Sequence, residues 1–475
     1  MSFQNLPNLF LADLDNSLHL TPATVHDACH AIVRNRDHWL RHQRVRTLIE
    51  LIAHVAERWL DPTDGFRKMA IEEGCRELNL QPATLGRGLD SFFRLLSIEG
   101  LEGLVIQDLG ELKRLDDFGS GPIEMGMGRS SWACGPRLLG HIVAGNLPNS
   151  ALTSMVLGIL TKSAQFIKCP SNGSIIPRLF AHSLAQVEPK MSSCMELATW
   201  HGGSHELESA LFAEADCITA TGSDEMVQSV RARLPLRVRF VSYGHRVSFS
   251  FIGNDYLSTY TVKRVVRDAV HDVTAWNQLG CLSPHVIYVQ EDGVTSPEGF
   301  AEALAAELEA REKTEPRGEL SVEESAAIAT RRAAYQMRST IAAPQSAGRD
   351  RSESIFRDLP IAIRMWQSQE STAWTVVYDT DPRFQHSCLN RFIYIKPVKH
   401  FKDALHFAEP VRHQVSTLAI AATDTRAIEY ARDAANWGAT RVCPIGKMQE
   451  PPLAWRHDGR PALGDLVTWT DFEQI

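Results

Sequence analysis

From about Leu138 to Tyr243, short apolar runs alternate with amphipathic stretches, and this constrains the fold more than any other feature of the chain. LLGHIVAG, AQFIKC, CMELATW, ADCITAT and VRFVSY read as strands; SALTSMVLGIL, IIPRLFAHSLAQV, HELESALFA and SDEMVQSVRARL between them read as helices. Strands separated by whole helices run parallel, and the resulting sheet is covered on both faces. Such sheets bind ligands beyond the carboxyl ends of their strands, so chemistry is expected in the loops that follow them.

A second round begins near Val247. TVKRVVRDAVHDVTAWNQ reads as a long helix, HVIYVQE as a strand and EGFAEALAAELEAR as a helix. Strands are expected at IAIRMW, WTVVYD, RFIYIKPV, STLAIAAT and TRVCPIG, with helices at FKDALHFAEPV and RAIEYARDAANWG and an exposed polar loop over 341–354. The first hundred residues read as helices, with apolar stripes through Ile49, Leu51, Ile52, Val55 and Leu60 and through Phe92, Leu95, Leu96 and Ile98. The reading is therefore an α/β protein: a helical N-terminal region with a Rossmann-type domain over 1–250, and a second α/β domain over 251–475.

Composition removes several classes of function. The 49 basic residues against 57 acidic ones leave a net charge of −8, without the basic excess that nucleic acid or an anionic membrane requires. No run approaches the roughly 18 apolar residues of a membrane-spanning helix. The nine cysteines are scattered, without zinc-ligand spacing, so no metal is assigned. Free thiols in a reducing compartment, the cytoplasm, are expected. The N-terminus carries no signal-peptide pattern.

Five loops invite a chemical reading. GSGPIEMGMG (119–128) follows no strand and contains Pro122, so it reads as a turn into a hairpin rather than a phosphate loop. HGGSH (201–205) lacks an accompanying GxSxG nucleophile, and His201 and His205 lack a third metal ligand; Gly202 and Gly203 more simply let the chain turn. In ADCITATGSDEM a strand ends, Gly222 permits a turn, and Ser223 caps a helix whose free N–H groups suit a pyrophosphate. Asn146, in the loop after the first strand of the series, has an amide able to donate to an oxyanion or to close an Asx turn. Cys281, in NQLGCLSP, lies in a loop between helix and strand, where a thiol is open to solvent as a core thiol is not.

In this order these loops resemble the aldehyde dehydrogenase superfamily, and within it the acyl-CoA reductase branch, the LuxC-type fatty-acid reductases of bacterial bioluminescence. The resemblance runs over almost the whole chain. It is carried most specifically by HIVAGNLPNSALTSMVLGILTKSAQFIKCPS, NQLGCLSPHVIYV and GATRVCPIGKMQEPPLAWRHDGRPALGDLV. It implies that Cys281 is the nucleophile that carries the acyl group and that Asn146 belongs to the oxyanion hole. Lys168 would reach the adenosine ribose, and Thr221, Gly222 and Ser223 would lie under the cofactor pyrophosphate.

There are three departures. Ser242 stands about where relatives have the glutamate that activates hydrolytic water, and the ribose-binding glutamate of EIFGP has no counterpart in CLNRFIYIKPV. Ser171, three residues after Lys168, replaces a carboxylate that would repel a 2′-phosphate, which favours NADPH. The expectation is NADPH-dependent reduction of an acyl-CoA or other acyl thioester to the aldehyde, with CoA leaving. The alternatives are an aldehyde dehydrogenase running oxidatively and a non-reducing acyl carrier. By the same resemblance, an acyl-protein synthetase is the expected partner, and the chain is expected to form a homo-oligomer through a hairpin near 122–137.

Overall fold

The computed structural model describes residues 6–14, 20–143, 145, 147–342 and 362–473. The chain forms two compact units, one from residues 1–245 with 451–475 and the other from residues 246–450.

The first unit opens with helices at Pro22–His38, Val45–Leu60, Gly65–Leu78, Pro82–Leu95 and Ile98–Leu109. Their starts are chemically marked. The Thr21 hydroxyl accepts the Thr24 N–H ahead of Pro22, Asp64 accepts from Phe66, and Ser97 accepts from Gly100, each satisfying a donor that the helix leaves unpaired. Leu48, Ile49, Ile52, Val55 and Trp59 form the buried stripe of the second helix, and Trp59 stacks on Phe93 at 4.7 Å. Leu51 and Leu60 are only half-buried. Ile98 is 38% exposed: the first helix ends at Leu95, and Ile98 opens a new one capped by Ser97 rather than continuing the earlier stripe.

After a short helix at Pro122–Gly126 come strands β1 (Arg129–Cys134), β2 (Leu138–Ile142), β3 (Ala164–Cys169), β4 (Met195–Thr199), β5 (Cys217–Thr221) and β6 (Arg239–Tyr243). The alternation of the sequence is realised: β2 to β6 form one parallel sheet in the order β4-β3-β2-β5-β6. The order moves outward from β2 to β4, then reverses at β5, so a topological switch point lies between β2 and β5. The stretch 122–137 does not close on itself as a hairpin. Instead β1 pairs antiparallel with the chain's last strand, Thr468–Glu473, from Arg129 opposite Glu473 to Cys134 opposite Thr468. Residues 451–475 thereby return to the first unit, a long-range pairing that local periodicity does not register.

In the second unit β7 (Val247–Ile252), β8 (Pro284–Gln290), β9 (Ile363–Gln367), β10 (Thr375–Asp379), β11 (Phe392–Val398), β12 (Val415–Ala421) and β13 (Val442–Pro444) form a sheet in the order β13-β12-β7-β8-β11-β10-β9. All neighbours are parallel except β9 and β10. Val286 and Tyr288 of β8 enter one buried cluster while Ile287 and Val289 enter the other. Burial on both faces makes such a strand a continuous apolar run. A helix at Val322–Ala342, which sequence periodicity did not bring out, packs on this sheet. Its buried face is Ile328, Arg332 and Tyr335, and the Arg332 guanidinium donates to Thr375 Oγ1 (2.9 Å) and to the carbonyls of Ser371 (2.6 Å) and Trp374 (2.7 Å). The polar stretch expected as an exposed loop lies, from 343 on, outside the described residues. No described helix is long and apolar enough to cross a membrane.

Beneath the first sheet His141 is fully buried between Thr219 Oγ1 (2.7 Å) and Gln165 Oε1 (3.2 Å). Gln165 offers only its oxygen, because its amide nitrogen donates to Met155 O; Nε2 of His141 therefore carries the proton, and Nδ1 accepts from the threonine. Burial pushes the imidazole down to about 4. Since the unfolded value is about 6.5, the site contributes stability above pH 6.5 that is lost as pH falls towards 4, about 3 kcal/mol in all. Urea unfolding of the parent and of His141→Gln across this range is expected to show the parent's advantage shrinking with acid. A difference independent of pH would contradict a buried neutral imidazole.

Candidate functional site

At the carboxyl edge of the first sheet the loops after β2 and β3 pack tightly. A Cβ on Gly145 would lie 2.6 Å from Asn172 O and 3.0 Å from Pro170 Cβ, so only glycine fits there. Asn146, the expected oxyanion donor, lies outside the described residues. Lys168 sits on β3 opposite Ile142 of β2 and Ala198 of β4. It is 7% exposed; burial lowers its ammonium pKa, and the charge of Glu208 offsets part of that shift. Ser171 follows in an exposed loop.

On the other side of the switch point β5 ends at Thr221. Gly222 N–H donates to Tyr243 O (3.1 Å), and Ser223 caps the helix Asp224–Arg233 by accepting from Met226 N–H. Asp224, in the first turn, is engaged by the His245 N–H (2.8 Å). Lys168, Ser171, Thr221, Gly222 and Ser223 thus share one edge of one sheet. A cationic amine, a hydroxyl and a helix start there fit the phosphates and ribose of a dinucleotide. His201 lies exposed in the loop and His205, also exposed, opens the helix His205–Glu214, with Gly203 at φ +87° making the turn between them.

Ser242 lies on β6, and its carbonyl accepts from Arg460 (2.7 Å). Arg460 also covers the ring of Tyr243, which stacks on His457 at 4.5 Å and 11°. Burial pushes the Tyr243 hydroxyl up to about 12. The sequence reading gave these three residues no role. The aromatic and basic run LAWRHDGR was the available signal, but only the fold brings it to β6.

In the second unit Cys281 is exposed, while Leu282 and Ser283 beside it are buried. The backbone leading to it is unusual. Trp276, Asn277 and Gln278 lie consecutively in the left-handed region, with φ of 52°, 52° and 66°. A second such run, Leu389, Asn390 and Arg391 (59°, 53° and 65°), precedes β11. Each non-glycine residue so placed costs on the order of 1–2 kcal/mol, so surrounding contacts must hold it. Fully buried Arg391 joins the two runs, donating to Asn277 Oδ1 through Nε (3.2 Å) and Nη2 (3.0 Å), while its Nη1 donates to Glu312 (2.8 Å) and Glu315 O (2.9 Å). The Gln278 amide donates to Pro284 O (2.7 Å) and Phe392 O (3.0 Å).

The loop itself is also held. Ser248 Oγ donates to Cys281 O (2.8 Å), Ser283 N–H to Gly280 O (2.9 Å), and the Gln449 amide to Ser283 Oγ (2.5 Å). A Cβ on Gly280 would come within 3.0 Å of that amide. Gln449 is set by buried Asp272, whose carboxylate accepts from Gly446 (2.6 Å) and Met448 (3.0 Å) N–H groups. The result is a thiol at the tip of a fixed loop, at the amino end of β8.

Of the other cysteines Cys134 is also exposed, but it ends strand β1 rather than sitting in a loop. Burial pushes Cys29, Cys169, Cys217 and Cys443 up to about 12 and Cys194 to about 11. Partial burial also raises Cys75, Cys134 and Cys388. An exposed thiol on a rigid loop is suited to nucleophilic attack.

The architecture is that of the aldehyde dehydrogenases. An NADP-dependent glyceraldehyde-3-phosphate dehydrogenase from Bacillus halodurans matches 96% of this chain and 92% of its own, with a TM-score of 0.68 at 13% identity. An NAD-dependent benzaldehyde dehydrogenase from Corynebacterium glutamicum matches 98% and 94%, with a TM-score of 0.67 at 12% identity. The chain belongs to the acyl-CoA reductase (LuxC) family, whose sequence profile matches residues 40–469. Among curated relatives, the long-chain acyl-protein thioester reductase 2 of Photobacterium leiognathi is 23% identical over 337 residues, 70% of this chain and 63% of that protein. The long-chain acyl-protein thioester reductases of Aliivibrio fischeri and Photorhabdus luminescens are each 23% identical, over 90% and 97% of this chain and 82% and 88% of theirs.

Replacing Arg391 with methionine removes the donors from Asn277 and Glu312 in a buried setting. The expected cost is about 3 kcal/mol, read as a lower urea midpoint; an unchanged midpoint would show that the two left-handed runs hold without their link.

Proposed function

We propose that this chain reduces a long-chain acyl thioester, acyl-CoA or acyl-protein, to the aldehyde with NADPH through an S-acyl intermediate on Cys281. The observation that carries the reading is the exposed Cys281 thiol on its buttressed loop in a chain of this family; the names of the relatives supply the acyl thioester.

A thiol of reference pKa about 8.5 needs only modest lowering to act as a thiolate near neutral pH. Cys281 sulfur attacks the acyl carbonyl; a new carbon–sulfur bond forms as the bond to the CoA sulfur breaks, and CoA leaves. One thioester replaces another, so the exchange is close to balanced in energy. The Asn146 amide and the Cys281 backbone N–H hold the developing oxyanion, each lowering the barrier by about 3–4 kcal/mol. NADPH, held by Lys168 and the Thr221-Gly222-Ser223 turn, would supply the hydride that takes the acyl group to the aldehyde oxidation level. The resulting thiohemiacetal on Cys281 then collapses, releasing aldehyde and returning the thiol.

Lys168 and the Thr221-Gly222-Ser223 turn hold the ribose and pyrophosphate, and Ser171 leaves room for the 2′-phosphate. Ser242, in place of a carboxylate base, leaves the thioester without an activated water, which favours reduction over hydrolytic oxidation. The ribbon of β1 and Thr468–Glu473 exposes Trp469 and Phe472 and would serve a homo-oligomer. An acyl-protein synthetase that delivers the acyl group is compatible with the same chemistry.

NADPH consumption with a long-chain acyl-CoA tests the proposal. Cys281→Ala is expected to lower the rate on the order of a thousandfold or more. An absence of NADPH consumption by the parent, or an equal rate in the variant, would overturn it.

A further inference from the structure

His26 and His30 lie one turn apart on one face of the helix Pro22–His38, with ring centroids 4.2 Å apart. Glu214, 188 residues beyond His26, ends the helix His205–Glu214 and places its carboxylate between them. Its Oε1 lies 2.9 Å from His26 Nδ1, and its Oε2 lies 3.2 Å from His30 Nε2. All three donor atoms fall within 4.8 Å of one another. We propose that His26, His30 and Glu214 bind a divalent transition-metal ion of the Zn2+ type.

The donor set is two imidazoles and a carboxylate, a combination suited to Zn2+. Around a tetrahedral ion with ligand bonds of about 2.1 Å, donors stand ~3.4 Å apart; the histidine–carboxylate distances of 2.9 and 3.2 Å are near that, and all three donor atoms lie within 4.8 Å of one another. Both imidazole side chains are about half exposed (52% and 51%), which leaves a fourth position open to water. The electrostatics favour a cation. Glu214 sits at a helix C-terminus, where the backbone carbonyls carry partial negative charge. Cys29, next to His30 in the chain, is buried and packs in the core below.

The bound ion would staple the N-terminal helix to His205–Glu214. Beneath the site the two helices already pack through Val25, Cys29 and Ile32 against Leu211 and Phe212. The third ligand comes from far along the chain, so spacing alone does not show the set.

Equilibrium dialysis of chelator-treated, full-length protein against micromolar Zn2+ tests the site, with the double variant His26→Ala/His30→Ala as comparison. Cys281 and Cys134 are also exposed thiols, a ligand type that zinc takes, so the informative quantity is the difference between the two proteins. The parent is expected to retain about one more Zn2+ per chain than the variant, and Zn2+ is expected to raise the Tm of the parent only. Equal retention and equal Tm response would overturn the proposal. Should the double variant lose stability without metal, Glu214→Gln, which keeps the shape and an acceptor oxygen, decides in its place. Zn2+ retention matching the parent's then overturns the site, and loss of one ion supports it.

Discussion

A strand cannot run parallel to the one before it without a crossover, and this constraint arranges both units. Each crossover delivers a loop to one edge of the sheet, so polar groups far apart in sequence arrive side by side. In the first unit the order β4-β3-β2-β5-β6 opens a switch point between β2 and β5. Lys168, Ser171 and the Thr221-Gly222-Ser223 turn reach the same edge with no contact needed among them. Gly145 is confined to glycine by the same crowding, because two loops leave adjacent strands at one end.

The second unit uses the opposite edge. Cys281 precedes β8, and the chain must turn sharply from a 3-10 segment into that strand. Two runs of left-handed backbone accomplish the turns before β8 and β11, and the buried Arg391–Asn277 contact ties one to the other. Such strain persists only where its surroundings over-determine it. Here three side-chain donors (Gln278, Ser248 and Gln449) and the Asp272 carboxylate all fix the loop backbone or the residues that flank it. The Cys281 side chain at the tip of that loop is exposed.

Much of this was legible in the sequence. The strand–helix alternation marks β2 to β6 because the inner strands β2, β3 and β5 are continuous apolar runs buried on both faces, separated by stretches of helical spacing. Cys281 stood out by its glycine and proline neighbours and by the family resemblance. The helix Val322–Ala342 was hidden because Arg332 occupies its core-facing stripe, where periodicity expects an apolar residue; its guanidinium is satisfied by groups that only the fold supplies. The pairing of β1 with Thr468–Glu473, and the arrival of His457 and Arg460 at Tyr243, depend on contacts across more than two hundred residues. Six residues with positive φ and no glycine among them leave no mark in a turn-propensity reading, since Asn277 and Asn390 are the only ones that favour such backbone.

The central claim is that one sulfur holds the acyl group covalently. Intact-mass measurement after treatment with a long-chain acyl-CoA, in the absence of NADPH, addresses it directly, with peptide mapping to locate the adduct. The account predicts a single added acyl group, located on Cys281 and discharged when NADPH is added. An unmodified mass, or an acyl group on a different cysteine, would contradict it.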